Sequence, residues 1–307
     1  MANASINRIT LSGLLRAGGA KIAELGHSLL YLFRLALRTP GGRIGLPIVM
    51  LYLLLAFIGP LLAPYPATDF HLDNQLESPS SQFWLGTDQF GRDILSRVMS
   101  GARSIIGISV AGAALGIALG TLVGMSSGYK GGKTDEVVMR IMDGLMSFPS
   151  LLMALLILTS LGASRVNIVL TIGIVFIAPV SRVMRSITLA LKTQEFVQSA
   201  RMRGENQVYI IFREILPNAI PVLIVEGSVR LSYAILLASS LGFLGLGVQP
   251  PSPDWGLMIS ESRRFIVLAP WVALAPSVAV ASLVIGVNLL SDGIRQARRL
   301  PQGEKEL

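Results

Sequence analysis

The chain has 307 residues, of which 52% are hydrophobic and only 14% are charged, and its mean hydropathy is +0.63. A soluble domain typically carries about 25% charged residues, so this composition excludes an ordinary soluble protein and indicates a membrane protein. The net charge is +8, and the sequence contains no cysteine, which excludes disulfides and thiolate metal sites.

The N-terminal segment, residues 1–43, mixes Arg and Lys with spaced leucines and isoleucines. This pattern predicts a cytoplasmic segment, either with a helix lying on the inner membrane surface or partly disordered. The first apolar run begins only near residue 44, so we expect no cleaved signal peptide and a first span that remains as an anchor.

Six segments are apolar enough to be membrane-spanning helices, each crossing about 30 Å of hydrocarbon. In chain order they are residues 44–68, 104–129, 144–164, 166–181, 218–247 and 265–291. The fourth is short, but Arg165 and Arg182 at its ends can extend their side chains to the two membrane surfaces. The sequence therefore predicts an all-α, polytopic fold with six transmembrane helices in a domain over residues 44–294, followed by a cytoplasmic tail over residues 295–307.

The distribution of Lys and Arg predicts the orientation of these spans. With both termini in the cytoplasm, 19 of the 26 basic residues lie on the cytoplasmic side, six lie outside, and Arg230 lies within the membrane. The positive net charge is explained by this topology and by attraction to anionic lipid, and it gives no support to nucleic-acid binding.

The outer loop, residues 69–103, contains the string FWLGTDQFGRDILSRVMSGAR. Glycines in it predict turns, and Asp93 is a suitable N-cap for a helix that carries Ile94, Leu95, Val98 and Ala102 on one face. The string resembles the LGTD, GRD, LSR and GAR signature of the C-type subunit of dipeptide and oligopeptide permeases in ATP-binding-cassette (ABC) importers. The signature residues are Gly86, Thr87, Asp88, Gly91, Arg92 and Asp93. The loop either folds for its own packing or also receives an external binding protein, and the two roles are compatible.

The segment Gly131, Gly132, Lys133 and Thr134 ends like a phosphate-binding loop. The first glycine of that motif would have to stand at position 127, which is Ser127, and the soluble strand and helix around the motif are missing. We therefore predict a tight turn between two spans. Asp143, a little further on, belongs to a string that resembles the start of the permeases' third helix, and it is a candidate pore or gating residue.

The cytoplasmic loop, residues 192–217, predicts two short amphipathic helices. In the first, apolar residues share one side: Phe196, Val197 and Ala200. In the second, apolar residues follow the spacing of one helix face: Val208, Ile211, Phe212 and Ile215. Gly204 permits a bend between the helices, and Pro217 is expected to close the unit.

This loop resembles the Glu-Ala-Ala loop of ABC-importer permeases, which docks onto a cytosolic ATPase. The spacing of that pattern is kept, but Gln198, Ser199 and Glu214 stand where Glu, Ala and Ile are usual. The resemblance marks the candidate docking residues as Glu195, Gln198, Ser199, Ala200, Arg201, Gly204, Leu216 and Pro217.

Glu226 and Arg230 lie inside the fifth span, roughly 13 Å from Pro217 at 1.5 Å per residue. Ionised groups at this depth usually face the bundle interior or water. Their i, i+4 spacing allows them to neutralise each other. The pair is therefore either structural or a pore-lining or gating pair. The permeases more often carry a Glu at the position of Ala238, so Glu226 does not inherit that residue's role.

The C-terminal third also carries family strings. Residues 241–251 resemble LSFLGLGVQPP, with Gly242 in place of Ser, and residues 288–295 resemble NLLGDGLR. Trp255 and Trp271 are expected in an interfacial aromatic belt. The resemblance covers about residues 46–299.

The resemblance implies a type I permease fold and a permease subunit of an ABC importer for di- or oligopeptides, with nickel chelate, glutathione or opine-like solutes as alternatives. It implies a multi-pass protein of the bacterial inner membrane without catalytic, metal-binding or cofactor-binding residues of its own. The implied partners are a homologous second permease in a heterodimer, two cytosolic ATPases that use ATP and Mg²⁺, a periplasmic or extracellular solute-binding protein and membrane lipids, with no nucleic acid.

Two rival classes fit the sequence less well. A secondary transporter would usually show inverted repeats and helices broken at the midplane, and the sequence has no evident internal repeat. An intramembrane hydrolase would need Ser-His or two-His metal chemistry within the membrane, but the two histidines, His27 and His71, lie outside the spans.

Overall fold

The computed structural model describes residues 37–299 of the chain, with side chains through residue 296. All but the last two residues of the segment 11–38, where a surface helix is expected, and the end of the predicted cytoplasmic tail, residues 300–307, lie outside the described residues.

The described chain is built from α-helices. In chain order they are α1 (Pro40–Leu62), α2 (Ile94–Lys130), α3 (Gly132–Ser147), α4 (Ser150–Leu161), α5 (Arg165–Leu191), α6 (Glu195–Met202), α7 (Gln207–Phe243), α8 (Trp255–Ser262) and α9 (Pro270–Arg299). Five of them, α1, α2, α5, α7 and α9, are long and apolar enough to cross a membrane. They correspond to five of the six predicted spans. The last of them, α9, continues past residue 294, where the sequence placed the end of the membrane domain.

The prediction that residues 144–164 form one continuous spanning helix is wrong. The chain breaks between α3 and α4, whose axes differ by 89°. Pro149 causes the break, because a proline disfavours helical geometry in the residue before it, and Phe148 accordingly has an extended ψ of 134°. With 12 residues, α4 is about 18 Å long at 1.5 Å per residue, so a sixth span exists only if the bent pair is taken as one.

Helices α2 and α5 form the centre of the fold, and glycines on α2 allow their close approach. A Cβ atom on Gly116 would lie 2.6 Å from the Cβ of Phe176, and one on Gly124 would lie 2.2 Å from the carbonyl oxygen of Ser181. Helices α1 and α9 meet in the same way, since a Cβ on Gly45 would lie 2.5 Å from the backbone nitrogen of Leu290. Close packing of small residues is a common means of holding membrane helices together.

The short helix α8 was not predicted from the sequence. Asp254 caps it by accepting the N–H of Leu257 at 2.9 Å, and it also accepts the N–H of Val248 at 3.3 Å. Burial raises the pKa of the Asp254 carboxyl, and these backbone hydrogen bonds act in the opposite direction. The carboxyl therefore holds the chain after α7 against the start of α8.

The expectation that Trp255 lies in an interfacial belt is wrong. Its side chain is fully buried, and its ring packs edge-on against Tyr52 of α1 with centroids 5.7 Å apart. Trp271 is partly buried and lies against Gly86 of the outer loop. Among the described tryptophans, only Trp84 is largely exposed, at 69%.

Candidate functional site

The predicted bend at Gly204 is present. Gly204 has φ of +80°, and its N–H donates to the carbonyl of Arg201 at 2.9 Å. The next N–H, from Glu205, donates to the carbonyl of Ala200 at 3.2 Å. This is the usual way in which a glycine in the left-handed region ends a helix, and it turns the chain from α6 towards α7.

Pro217 does not close the unit as expected. The chain stays helical from Gln207 to Phe243, with a π-helical turn at Ile210–Ile215 just before the proline. In this turn the N–H of Leu216 bonds to the carbonyl of Ile211, five residues back. Pro217 has no N–H to donate to the helix, and the wider π turn just before it absorbs the irregularity without ending the helix. The segment is therefore continuous with α7.

The inner side of this segment packs on the ends of α2 and α5. The packed residues are Val197, Ala200, Ile210, Ile211 and Ile215 from the segment, with Met125, Val180 and Met184 from the two spans. The predicted apolar face of the second helix is only partly correct, because Val208 and Phe212 are 65% and 45% exposed. The π turn changes the helical register and brings Ile210 into the core instead.

The outer side of this segment is what we call the docking surface, formed by the exposed residues Glu195, Gln198, Ser199, Arg201, Met202, Gly204, Val208, Phe212 and Pro217. Two further predicted docking residues lie elsewhere: Ala200 is buried, and Leu216 is partly buried. Met202 is 89% exposed. Exposed apolar side chains grouped among polar ones are typical of a protein interaction site.

Polar contacts fix the shape of the docking surface. The Nε of Arg201 donates to the Tyr129 hydroxyl at 3.2 Å, and the guanidinium lies 4.9 Å from the centre of the Tyr129 ring. Arg203 pairs with Glu214 at 3.3 Å across the bend. The surface is thus attached to the end of α2 and held as one body with the start of α7.

Ion pairs join α3 to α5 near the same end of the molecule. Arg185 binds Asp135 through two nitrogens, with a shortest distance of 2.6 Å. Arg182 pairs with Asp143, and both side chains are about half exposed. Asp143 is not among the residues that line the large membrane cavity described next. Its predicted pore role therefore has no geometric support here.

Glu226 and Arg230 form an ion pair on α7, with 2.6 Å between Oε1 and Nε. Their side chains are 12% and 17% exposed. The Arg230 guanidinium also lies 5.7 Å from the ring centre of Phe176 and 5.8 Å from that of Tyr233. These contacts hold the arginine in one orientation within the membrane domain.

Arg230 also lines a cavity of about 600 Å³ between α3, α4, α5 and α7. The cavity wall is mainly apolar, with Ser150, Tyr233 and Ser240 as further polar groups, and Glu226 does not line it. A largely apolar cavity with a few polar groups is the usual form of a small-molecule site. Tyr233 and Phe176, which orient Arg230, were missed from the sequence because neither residue type nor spacing singles them out.

The outer-loop signature residues are all buried. Asp88 accepts N–H bonds from Phe90 and Arg92 and pairs with the Arg92 side chain at 2.6 Å. Gly86 and Gly91 have φ of +75° and +73°, as their predicted turns require, and Asp93 caps α2 through the N–H of Ser96 at 2.8 Å. These six residues stabilise the fold of the loop from within. Any contact between the loop and another protein must therefore use exposed neighbours, such as Trp84.

Two charged residues of this loop region were not singled out from the sequence. Arg97 is buried 3.6 Å from Asp88, and its Nε and Nη1 have no hydrogen-bond partner among the described residues. Glu261 of α8 lies 3.4 Å from Arg92. The ionic cluster therefore connects the outer loop, α2 and α8.

Residues 116–299 match the family model described as "Binding-protein-dependent transport system inner membrane component". This match covers more than half of the chain. The chain belongs to this family. Residues 32–79 also match the model described as "N-terminal TM domain of oligopeptide transport permease C".

Curated relatives give the same assignment. The chain is 41% identical over 250 residues to the glutathione transport system permease protein GsiD of Pectobacterium atrosepticum, covering 81% of this chain and 83% of the relative. It is 39% identical over 254 residues to the dipeptide transport system permease protein DppC of Alkalihalophilus pseudofirmus, covering 83% and 84%. GsiD of Escherichia coli O157:H7 is 41% identical over 250 residues, covering 81% and 82%.

Membership confirms the predicted type I permease fold and the multi-pass membrane location. This protein is a permease subunit of an ABC importer, which excludes the secondary-transporter and hydrolase interpretations. It is not itself an enzyme, because ATP hydrolysis in such systems belongs to separate subunits.

Proposed function

We propose that this permease forms half of a transmembrane pathway for small peptides, together with a homologous second permease. One of two cytosolic ATPases binds at the docking surface, the two ATPases together supply ATP and Mg²⁺ chemistry, and an external solute-binding protein delivers the peptide. This chain binds no cofactor. Both termini, with residues 1–43 and 295–307, face the cytoplasm of a bacterial cell, and the membrane domain covers residues 44–294.

The observation that carries this proposal is the continuity of the docking surface with α7. Its inner side is packed against α2 and α5, and its second half belongs to the same helix as Arg230. Because packed interfaces move as rigid bodies, closure of the ATPases would displace α7 together with the lining of the cavity. The geometry thus supports a coupling role for Glu195, Gln198, Ser199, Ala200, Arg201, Gly204, Leu216 and Pro217.

The cavity beside Arg230 supports a pathway role for the Glu226 and Arg230 pair. Arg230 uses its Nε for Glu226 and lines the cavity at the same time. A purely structural pair would not need contact with the cavity. The contact of Arg230 with the cavity therefore favours the pathway interpretation, and Glu226 offsets its charge inside the membrane.

Peptides are the proposed substrate class because relatives that cover more than four-fifths of the chain are named for dipeptide and for glutathione. Nickel chelates and opine-like solutes are the competing classes. The outer-loop residues Gly86, Thr87, Asp88, Gly91, Arg92 and Asp93 support reception of the binding protein indirectly, by shaping the loop.

The test is ATP-dependent uptake by the complex reconstituted in liposomes with its cognate ATPases, second permease and binding protein. The panel is a labelled dipeptide, a tripeptide, glutathione, an opine and a nickel chelate. We expect peptide uptake that stops when any one subunit is omitted. Uptake of only the nickel chelate or the opine would reject the peptide assignment, and uptake without the ATPases would reject the coupling mechanism.

A further inference from the structure

A second cavity, of about 280 Å³, opens at the end of the molecule opposite the docking surface. It lies between the N-terminal turns of α2, the start of α5 and the loop before α8. Five polar side chains converge on it: Ser100, Arg103, Ser104, Arg165 and Ser252. Neither the peptide pathway nor the ATPase contacts account for this cluster.

The cavity carries uncompensated positive charge. Neither Arg103 nor Arg165 forms an ion pair with any residue that the structure describes, and the lining includes neither Asp nor Glu. Arg165 also occupies the first turn of α5, where the helix dipole already contributes positive potential. Both arginines line the cavity while remaining exposed to solvent, and with no carboxylate in the lining they favour an anion beside them.

Hydrogen-bonding groups of the cavity are arranged for an oxyanion. Arg165 donates from Nη2 to the Ser252 hydroxyl at 2.8 Å, which orients its guanidinium. The Ser104 hydroxyl is buried and has no hydrogen-bond partner among the described residues. Guanidinium groups bind phosphate through paired, charge-assisted hydrogen bonds, and hydroxyls can complete such a site.

The surface that continues from Arg103 along α2 is apolar and open. Gly107, Val110 and Ala114 follow Arg103 at helical spacing and are exposed. In the part of the chain that the structure describes, no other segment places an atom within 4 Å of a Cβ on Gly107, and Val110 is 47% exposed. A ligand with an anionic head and an apolar tail would contact both the arginines and this strip. Free phosphate would contact only the arginines.

We propose that Arg103 and Arg165 form a phosphate site occupied by the headgroup of an anionic phospholipid, with an acyl chain on the strip below. The test uses the full-length chain, purified from membranes with the subunits that accompany it. The probes are phosphatidylglycerol, zwitterionic phosphatidylcholine and inorganic phosphate. Retained lipid is measured by mass spectrometry, and the melting temperature is measured with each probe added.

The double variant Arg103→Gln with Arg165→Gln should retain roughly tenfold less phosphatidylglycerol than the wild type, as expected for loss of charge-assisted hydrogen bonds. Its matched control, Arg263→Gln with Arg264→Gln, removes the same charge from two other exposed positions at the same end of the molecule and should retain wild-type amounts. Equal retention by the two double variants overturns the site.

A second variant, Gly107→Phe, fills the apolar strip without changing either arginine, so it should also reduce phosphatidylglycerol retention. It tests the proposal even if the double variant fails to fold, and wild-type retention by it would contradict the acyl-chain contact. Stabilisation by inorganic phosphate that depends on both arginines, with none from phosphatidylglycerol, would overturn the lipid source and assign the site to free phosphate.

Discussion

The indole N–H of Trp255 in α8 donates to the carbonyl oxygen of Val98 in α2 at 3.0 Å. The ring rests on Gly101, where a Cβ would lie 2.5 Å from the indole nitrogen. Through this single side chain, a helix that follows the fifth span in sequence is fixed to the start of the second. Trp255 therefore holds α8 against α2 alongside the ionic contact of Arg92 with Glu261.

Replacing this tryptophan should destabilise the protein strongly. We expect Trp255→Ala to lower the free energy of unfolding by about 3–5 kcal/mol, the usual loss for a large buried aromatic side chain. Trp84→Ala is the control, because Trp84 is 69% exposed and its loss should change stability by less than about 0.5 kcal/mol. Thermal unfolding in detergent measures both. Equal melting temperatures for the two variants would contradict the buried position of Trp255.

Two glycines that lie in helices, Gly256 and Gly144, should have opposite effects on stability when each is replaced by alanine. A Cβ on Gly256 in α8 would lie 2.1 Å from the carbonyl oxygen of Ser239, so Gly256→Ala should destabilise by about 1–3 kcal/mol. Gly144 in α3 is exposed, and no other described segment places an atom within 4 Å of a Cβ on it. Gly144→Ala should therefore stabilise by about 0.5–1 kcal/mol. Melting temperatures that shift in the same direction would contradict this prediction.

Most of the fold could be predicted because apolar runs long enough for a bilayer have few alternatives to a helix. The break at Pro149 was missed because an apolar run does not show where its helix bends. Trp255 was misplaced because a tryptophan near a membrane surface suits either a belt or a core, and only its partners Val98 and Gly101 distinguish them.

Only part of the candidate site could be predicted from the sequence, because some of its features are local and others depend on packing. Local signals located Gly204 and Asp93, whose roles depend on their own backbone geometry. The π turn before Pro217 and the rings around Arg230 depend on packing between distant segments. The sequence of one segment does not contain that information.

The topology prediction places residues 1–43, Lys130, the loop around Gln198 and Arg298 in the cytoplasm, with Asp88 and Trp255 outside. Because Asp88 and Trp255 are buried, labelling needs exposed neighbours. Cysteine at Trp84 should react with an impermeant reagent in intact cells, whereas cysteine at Met202, which replaces a side chain that is 89% exposed, should react only after permeabilisation. The chain has no native cysteine, so the signal is clean. Labelling at position 202 in intact cells would show that the orientation is the reverse of the predicted one.

The charge pair on α7 gives a prediction about stability and transport. Glu226→Gln should destabilise the protein more than the double change with Arg230→Gln, because one uncompensated buried charge costs more than none, typically about 3–5 kcal/mol. Thermal unfolding tests this order, and the reverse order would reject the pair as a buried unit. Uptake then separates the roles: a double variant that assembles but does not transport supports pathway lining, and one that transports normally supports a structural pair.

We expect the bend at Gly204 to be required for energy coupling. The φ of +80° at this glycine disfavours any residue with a Cβ, yet within residues 37–299 that Cβ position has open space, with no atom beyond its chain neighbours inside 4 Å. Gly204→Asp should therefore cost about 1–2 kcal/mol of local strain at most, and the variant should insert and pair with its sister permease. An added carboxylate on the docking surface should nevertheless prevent close fit of an ATPase. Co-purification of the ATPases and substrate-stimulated ATP hydrolysis in liposomes should both be lost.

Gly162→Asp is the matched control for that variant. Gly162 has φ of +84°, and the described residues also leave the space around its Cβ position open, but it lies between α4 and α5, away from the docking surface. The same substitution there introduces the same strain and charge, so ATPase attachment should persist. Full retention of the ATPases and of stimulated hydrolysis by Gly204→Asp would mean that residues 192–217 serve only as a connector. If both variants lose the ATPases, backbone strain and not contact explains the loss. Contact with the ATPase predicts a loss in Gly204→Asp alone.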